Sequence, residues 1–246
     1  MMNIAQKVAL VTGATRGIGF ETVRQLAETG VTVLLAGRDS QRTVVAAEAL
    51  QADGLPVQPI TLDVARSESI EQAVNEIQSR YGKLDILVNN AGIMIDAAEK
   101  APSAQSLATW RETFDTNLFA VVELTQALLP LLKQAPAARI VNLSSQLGSL
   151  GWHTDPGSPI YDFKAPVAYN ASKTAINAWT VHLAYELRDT PIKVNAVHPG
   201  YVQTDMNGGA GEIDVPTGAK SSVEMALIDE HGPSGSFTHM GKTLPW

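Results

Sequence analysis

Val8-Ala-Leu-Val11, followed without a break by Thr12-Gly-Ala-Thr-Arg-Gly-Ile-Gly19, is the stretch on which the fold turns. Four consecutive apolar residues suit a strand buried on both faces, as in a parallel sheet covered by helices. Gly13, Gly17 and Gly19 then make a G-x-x-x-G-x-G turn leading into a helical stretch. Glycine lets a ligand approach the backbone closely, and the free N–H groups and positive end of the next helix can hold a pyrophosphate. An ordinary glycine turn is the competing reading, and the position directly behind the first strand favours the cofactor.

Strand-length apolar runs recur at Val31–Leu35, Val57–Leu62, Leu84–Val88, Arg139–Leu143, Lys193–Val197 and, more weakly, Ser236–Met240. Helix-like stretches separate them, including one ended by Gly30 and one opened by Ser67 and running through Arg80. Such alternation predicts βαβ units in an α/β fold, a doubly wound parallel sheet with helices on both faces. Nothing divides residues 1–246, so one domain is expected. Gln146–Pro166 and Tyr201–Gly235 break the rhythm and read as long loops. At the carboxyl edge of such a sheet, loops of this kind contact substrate.

A hydrophobic content of 45% with 17% charged residues describes a globular protein. The net charge of −7 argues against nucleic acid and anionic membrane surfaces as partners, which leaves small molecules. With no cysteine there are no disulfides, thiolate chemistry or cysteine-based zinc sites, and a reducing compartment, the cytoplasm, is expected. Residues 1–6 read as too short and polar for a signal peptide, and Ala127–Leu132 as too short to span a bilayer. No metal is expected: His153-x-Asp155 stands alone, without a His-Glu-x-x-His motif.

Tyr169-Asn-Ala-Ser-Lys173 sets a phenol and an ammonium four residues apart, on one face of a helix. A phenol titrating near ~10 donates poorly at neutral pH, and a nearby cation favours its ionised form. Taken by itself, Y-x-x-x-K describes many solvated helix faces.

In register with the glycine turn and with Asn89-Asn90-Ala91-Gly92 after the fourth strand, the pair resembles the classical short-chain dehydrogenase/reductase family across Lys7 to Trp246. The resemblance implies a Rossmann fold of seven parallel strands and hydride transfer between a nicotinamide cofactor and a carbonyl or alcohol. It makes Tyr169 the general acid/base and Lys173 the group that lowers its pKa and binds the nicotinamide ribose. Asn117 would hold a water linking Lys173 to solvent; its alternative is a buried asparagine satisfying local backbone. Ser144 or Ser145 would bind the substrate oxygen, and Ser145 matches the family position. Cofactor contacts carry over to Gly13, Thr15, Arg16, Gly17, Ile18, Gly19, Asp63, Val64, Asn90, Ala91, Gly92, Pro199, Gly200, Val202 and Thr204.

Relatives that prefer NAD carry an aspartate at the end of the second strand, where Gly37 stands here, followed by Arg38. A guanidinium suits a 2′-phosphate, and Arg16 adds a second charge, so NADP(H) is expected. From Ser145 to Tyr169 the chain is longer than in most classical members, as in the carbonyl-reductase branch. There the added segment covers a helix surface used in tetramers, so a monomer or dimer is expected. Met94, Trp152, His153 and Met206 are candidates to contact a small lipophilic carbonyl substrate, with Tyr161, Phe163 and Trp246 as further aromatic lining.

Overall fold

The structure, a computed structural model, describes residues 7–246. The stretch 1–6, read above for a signal peptide, lies outside the described residues. Strands β1 (Val8–Val11), β2 (Thr32–Gly37), β3 (Val57–Thr61), β4 (Ile86–Asn89), β5 (Arg139–Leu143), β6 (Lys193–Val197), β7 (Phe237–His239) and β8 (Lys242–Thr243) form one sheet. Its order is β3-β2-β1-β4-β5-β6-β7-β8, parallel throughout except for β8 against β7. The eighth strand corrects the expectation of seven. It is a two-residue return made by a tight turn at Met240 and Gly241, both with positive φ, as reversing hairpins require.

Alternate strand residues feed two separate cores, which is why the runs read as continuously apolar. Leu10, Leu34, Leu87, Ile140 and Val194 pack on one face with Ile70 and Ile77 of α3 (Ser67–Tyr81), Leu124 and Leu128 of α5 (Ala120–Gln134) and Leu183 of α7 (Val167–Glu186). Val11, Val33, Leu35, Ile86 and Val88 pack on the other with Val23 and Leu26 of α1 (Gly17–Glu28), Ala47 of α2 (Ser40–Ala52) and Met225 of α8 (Val215–Leu227). Each large side chain so buried stabilises the fold by about 1.5–3 kcal/mol relative to exposure.

Arg139, the charged first residue of β5, is buried, and its guanidinium donates to the carbonyls of Ala137, Ala138, Pro191, Ile228 and Asp229. Five acceptors satisfy the donors that burial would otherwise orphan. They tie the end of α8 to the sheet.

Neither stretch read as a long loop is loop throughout. Tyr201–Gly235 contains α8, whose N-cap Asp214 accepts from the Thr217 amide. Gln146–Pro166 begins with a 3-10 turn over Gln146–Gly148 and carries the short α6 (Leu150–Thr154), capped by Ser149. Among the described residues no helix is long and apolar enough to cross a membrane.

Candidate active site

β1 and β4 are neighbours, and the chain leaves them towards opposite sides of the sheet, which opens a crevice at their carboxyl ends. The glycine turn follows β1 and Asn90-Ala91-Gly92 follows β4, so both sequence motifs meet there. The Thr12 hydroxyl accepts from the amides of Asn90 and Ala91, each at 3.0 Å. In return the Asn90 side-chain amide donates to the carbonyls of Thr12 and Gly13 at 2.8 and 3.2 Å.

The three glycines do different work. A Cβ on Gly19 would lie 2.5 Å from Asn90 Nδ2 and 2.6 Å from the Gly13 carbonyl, and one on Gly13 would lie 2.9 Å from the Ala91 Cα. Those two permit packing. Gly17 has φ +57° with nothing within 4 Å of a Cβ, and it begins α1 where Arg16 supplies no side-chain cap. Its open space and uncapped amides fit an anionic group approaching the helix end. Gly19→Ala is therefore expected to lower the melting temperature more than Gly17→Ala, whose left-handed backbone costs about 1–2 kcal/mol. Thermal melts and NADPH titration should show Gly17→Ala folded but weakened in binding.

At the end of β2 a Cβ on Gly37 would meet Thr15 Cγ2 and Thr43 Oγ1, each at 2.5 Å, so an aspartate there would require both side chains to shift. Beside it an open groove of about 610 Å³ is lined by Thr15, Arg16, Arg38 and Arg42 among others. Arg42 is a further arginine on the groove, in the first turn of α2, just after Arg38. Arg16 Nη1 donates to Asp205 at 2.7 Å, both side chains being exposed, and so links the glycine turn to the loop after β6.

The catalytic candidates converge from three elements. Tyr169 and Lys173 lie on α7, Ser145 follows β5, and Asn117 lies in a π-helical turn, Asp115–Phe119, between α4 (Leu107–Phe114) and α5. Ser145 faces the Tyr169 side chain, and its Oγ accepts from the Leu147 amide at 3.2 Å. Ser144 instead donates to Asn177 Oδ1 at 2.6 Å and is buried, so the geometry separates the two serines. Lys173 Nζ donates to the Leu143 carbonyl at 2.7 Å and lies 5.5 Å from the centre of the Tyr169 ring.

Burial dominates the proton affinities. It pushes the Tyr169 phenol up to about 12, against a smaller downward pull from the Ser145 hydroxyl. It pushes the Lys173 ammonium down to about 8. The Tyr169 phenol is thus raised by burial in the chain by itself, and the expected lowering by Lys173, whose Nζ is bound to the Leu143 carbonyl, is not among the causes of its shift.

The Lys173 shift predicts a pH dependence of stability. An unfolded lysine keeps its proton up to about 10.4, whereas the folded one sheds it near 8. Between those values the unfolded chain binds more protons, so stability rises with pH; below about 8 the penalty for the buried charge is complete. Melting temperatures of the parent should gain on those of Lys173→Met between pH 8 and 10, and parallel curves would contradict the assignment.

Asn117 is buried with its side chain engaged: Oδ1 accepts from the Ile93 amide at 2.8 Å, while Nδ2 donates to the Ile93 carbonyl and Ser172 Oγ. The side chain thereby satisfies local backbone and side-chain groups. The π turn Asp115–Phe119 widens the helical hydrogen-bond ladder at this point.

Other candidates are placed with less direct roles. Asp63 Oδ1 accepts from the Ala65 amide and closes its own turn. Val202 is buried against Gly218 of α8, and Thr204 caps a 3-10 turn at Asp205–Asn207. Gly200, after Pro199, has φ +99°. His153 has both ring nitrogens engaged within the insertion, with Leu147 O at 3.0 Å and Lys164 Nζ at 3.4 Å, so it clasps that segment instead of presenting a free nitrogen. Trp246 stacks on Phe237, and its carbonyl accepts from the Gly151 amide at 2.8 Å. Trp152 and Met94 are partly buried, and Met206 is exposed.

The short chain dehydrogenase family model matches residues 7–213. Short-chain dehydrogenase/reductase 1 of Saponaria officinalis is 34% identical over 99% of this chain and 97% of its own length. Carbonyl reductase [NADPH] 1 of Mus musculus is 32% identical over the whole of both chains. The structure of NADPH-bound carbonyl reductase from chicken fatty liver superposes with a TM-score of 0.85 at 29% identity, covering 98% of this chain and 99% of that one. With the family model over residues 7–213 and relatives above 30% identity over nearly their whole length, the chain belongs to the short-chain dehydrogenase/reductase family.

Proposed function

We propose that the protein interconverts a small lipophilic aldehyde or ketone and its alcohol, with NADP(H) as cofactor and Tyr169 as the proton donor in reduction. The observation that carries this reading is the meeting of Ser145 and Tyr169 beside the buried Lys173 ammonium, whose Nζ lies 5.5 Å from the centre of the Tyr169 ring. When bound, the nicotinamide cofactor supplies the hydride in reduction and accepts it in oxidation.

The chain's own residues handle binding and the proton. Ser145 Oγ donates to the substrate oxygen and stabilises the negative charge that grows there. Tyr169 transfers its phenolic proton to that oxygen, which a phenol held protonated across the neutral range is loaded to do. Lys173 then faces the phenolate, and its positive charge offsets the new negative one within the buried site. A water on the backbone at Asn117 would return the proton from solvent.

Support for NADP(H) over NAD(H) comes from the three arginines around the groove and the tight packing at Gly37. Relatives named for or bound to NADPH point the same way. Thr15, Gly17 and Ile18 would hold the pyrophosphate and Arg38 the 2′-phosphate. Met94, Trp152 and Met206 would bound the substrate.

Absorbance at the nicotinamide band across aldehydes, ketones, diketones, quinones and steroids tests the reading. NADPH oxidation with at least one class is expected; NADPH binding without turnover on every class would leave a sensor of the same fold instead. Light scattering is expected to give a monomer or dimer. A tetramer would mean that the exposed apolar residues Phe119, Val181 and Tyr185 pack between copies.

A further inference from the structure

Helix α7 begins at Val167 with Pro166 as its N-cap, a residue with no side-chain acceptor for the first amides of the helix. Those amides are nevertheless satisfied from elsewhere in the chain. Asp96 Oδ1 accepts from the Ala168 amide at 2.7 Å, and Asp96 Oδ2 accepts from the Tyr169 amide at 3.1 Å. A local N-cap oxygen serves the second or third amide of its helix. Here one carboxylate serves both, across 72 and 73 residues of sequence.

We infer that Asp96 is a positioning residue for Tyr169, a reading that rests on Tyr169 being the proton donor proposed above. Its carboxylate fixes the backbone of the proton donor itself. It does so from the loop that starts at Asn90-Ala91-Gly92, the segment pinned by hydrogen bonds to Thr12 and the glycine turn. Two further ties join the same loop to the site. Asn117 grips Ile93 through both its amide and its carbonyl, and a Cβ on Gly92 would lie 3.6 Å from Lys173 Nζ. Asp96 thus closes a frame in which the cofactor-side loop and the catalytic helix keep one spacing, and its charge suits the positive end of α7. The phenol can serve as an acid only if it stays within hydrogen-bond reach of the oxygen it protonates. Misplacement by about 1 Å costs on the order of 100-fold in rate.

Asp96→Ala is expected to lower kcat by about 10- to 100-fold while the Kd for NADPH stays within about twofold. Asp96→Asn keeps one acceptor oxygen for two amides and should fall between parent and alanine variant, which also secures the test should the alanine variant fold poorly. Ser106→Ala supplies the matched control. Ser106 Oγ caps α4 by accepting from the Thr109 amide at 3.0 Å on an exposed face, so its removal should lower the melting temperature with kcat unchanged. Parental kcat in both Asp96 variants, with Tyr169→Phe slowed, would overturn the role of Asp96 and leave the proton donor standing. Full activity in Tyr169→Phe would instead remove the reading on which it rests.

Discussion

Tyr169→Phe is expected to fold, to bind NADPH within about twofold of the parent, and to lose about 10²- to 10⁴-fold in kcat, the contribution typical of a positioned general acid. The substitution removes one oxygen and keeps the ring against which Lys173 lies, so packing changes little. The loss should fall on kcat, because the proton is needed in the transition state and not for binding. Ser145 loses the neighbouring phenol in the same variant but keeps the Leu147 amide, from which its Oγ accepts at 3.2 Å. Melting temperature, NADPH titration and steady-state rates on one protein separate these effects. A variant that turns over at the parental rate would remove Tyr169 from the chemistry, whatever the family resemblance implies.

Arg38→Asp is expected to lower kcat/KM for NADPH by about 100-fold or more while leaving that for NADH within a few fold. A hydrogen bond to a charged group contributes about 1.5–3 kcal/mol, and a carboxylate facing a 2′-phosphate adds repulsion to that loss. NADH has no such phosphate, so its rate reads only the damage common to both cofactors. Arg16 and Arg42 flank the same groove, but each also faces a carboxylate, Asp205 and Asp39 respectively. Single neutralisations of either should cost less than the reversal at Arg38. An unchanged ratio of NADPH to NADH efficiency would defeat the assignment of the groove to the 2′-phosphate.

Strands were legible because both faces of the sheet are covered, so β1, β5 and β6 appear in the sequence with the bounds they have in the structure. The α8 helix was hidden for the opposite reason. Its buried face is mostly small residues, Gly218, Ala219, Ser221, Ser222 and Ala226, with Met225 the one large side chain among them, so it carries little apolar periodicity. The signals that could have found it were Asp214 as N-cap and Pro216 in the first turn. β8 is two residues long and exists only as the return of a turn.

Within the site, the glycine turn and Tyr169–Lys173 could be read because their function fixes a local spacing. Asp96 could not be, because its partners are distant in sequence. The sign of the Tyr169 shift was likewise out of reach: two residues one turn apart suggest mutual influence, but only the fold shows how deeply both are buried.

The most direct test of the central claim is isotope transfer. NADPH carrying two deuterium atoms at the nicotinamide C4 would be incubated with a carbonyl compound that the protein reduces, and the product examined by mass spectrometry and NMR. One deuterium at the carbinol carbon is predicted, with formation of that product slowed by about 10²- to 10⁴-fold in Tyr169→Phe. An alcohol free of deuterium, or NADPH bound with no alcohol formed from any carbonyl class, would contradict it.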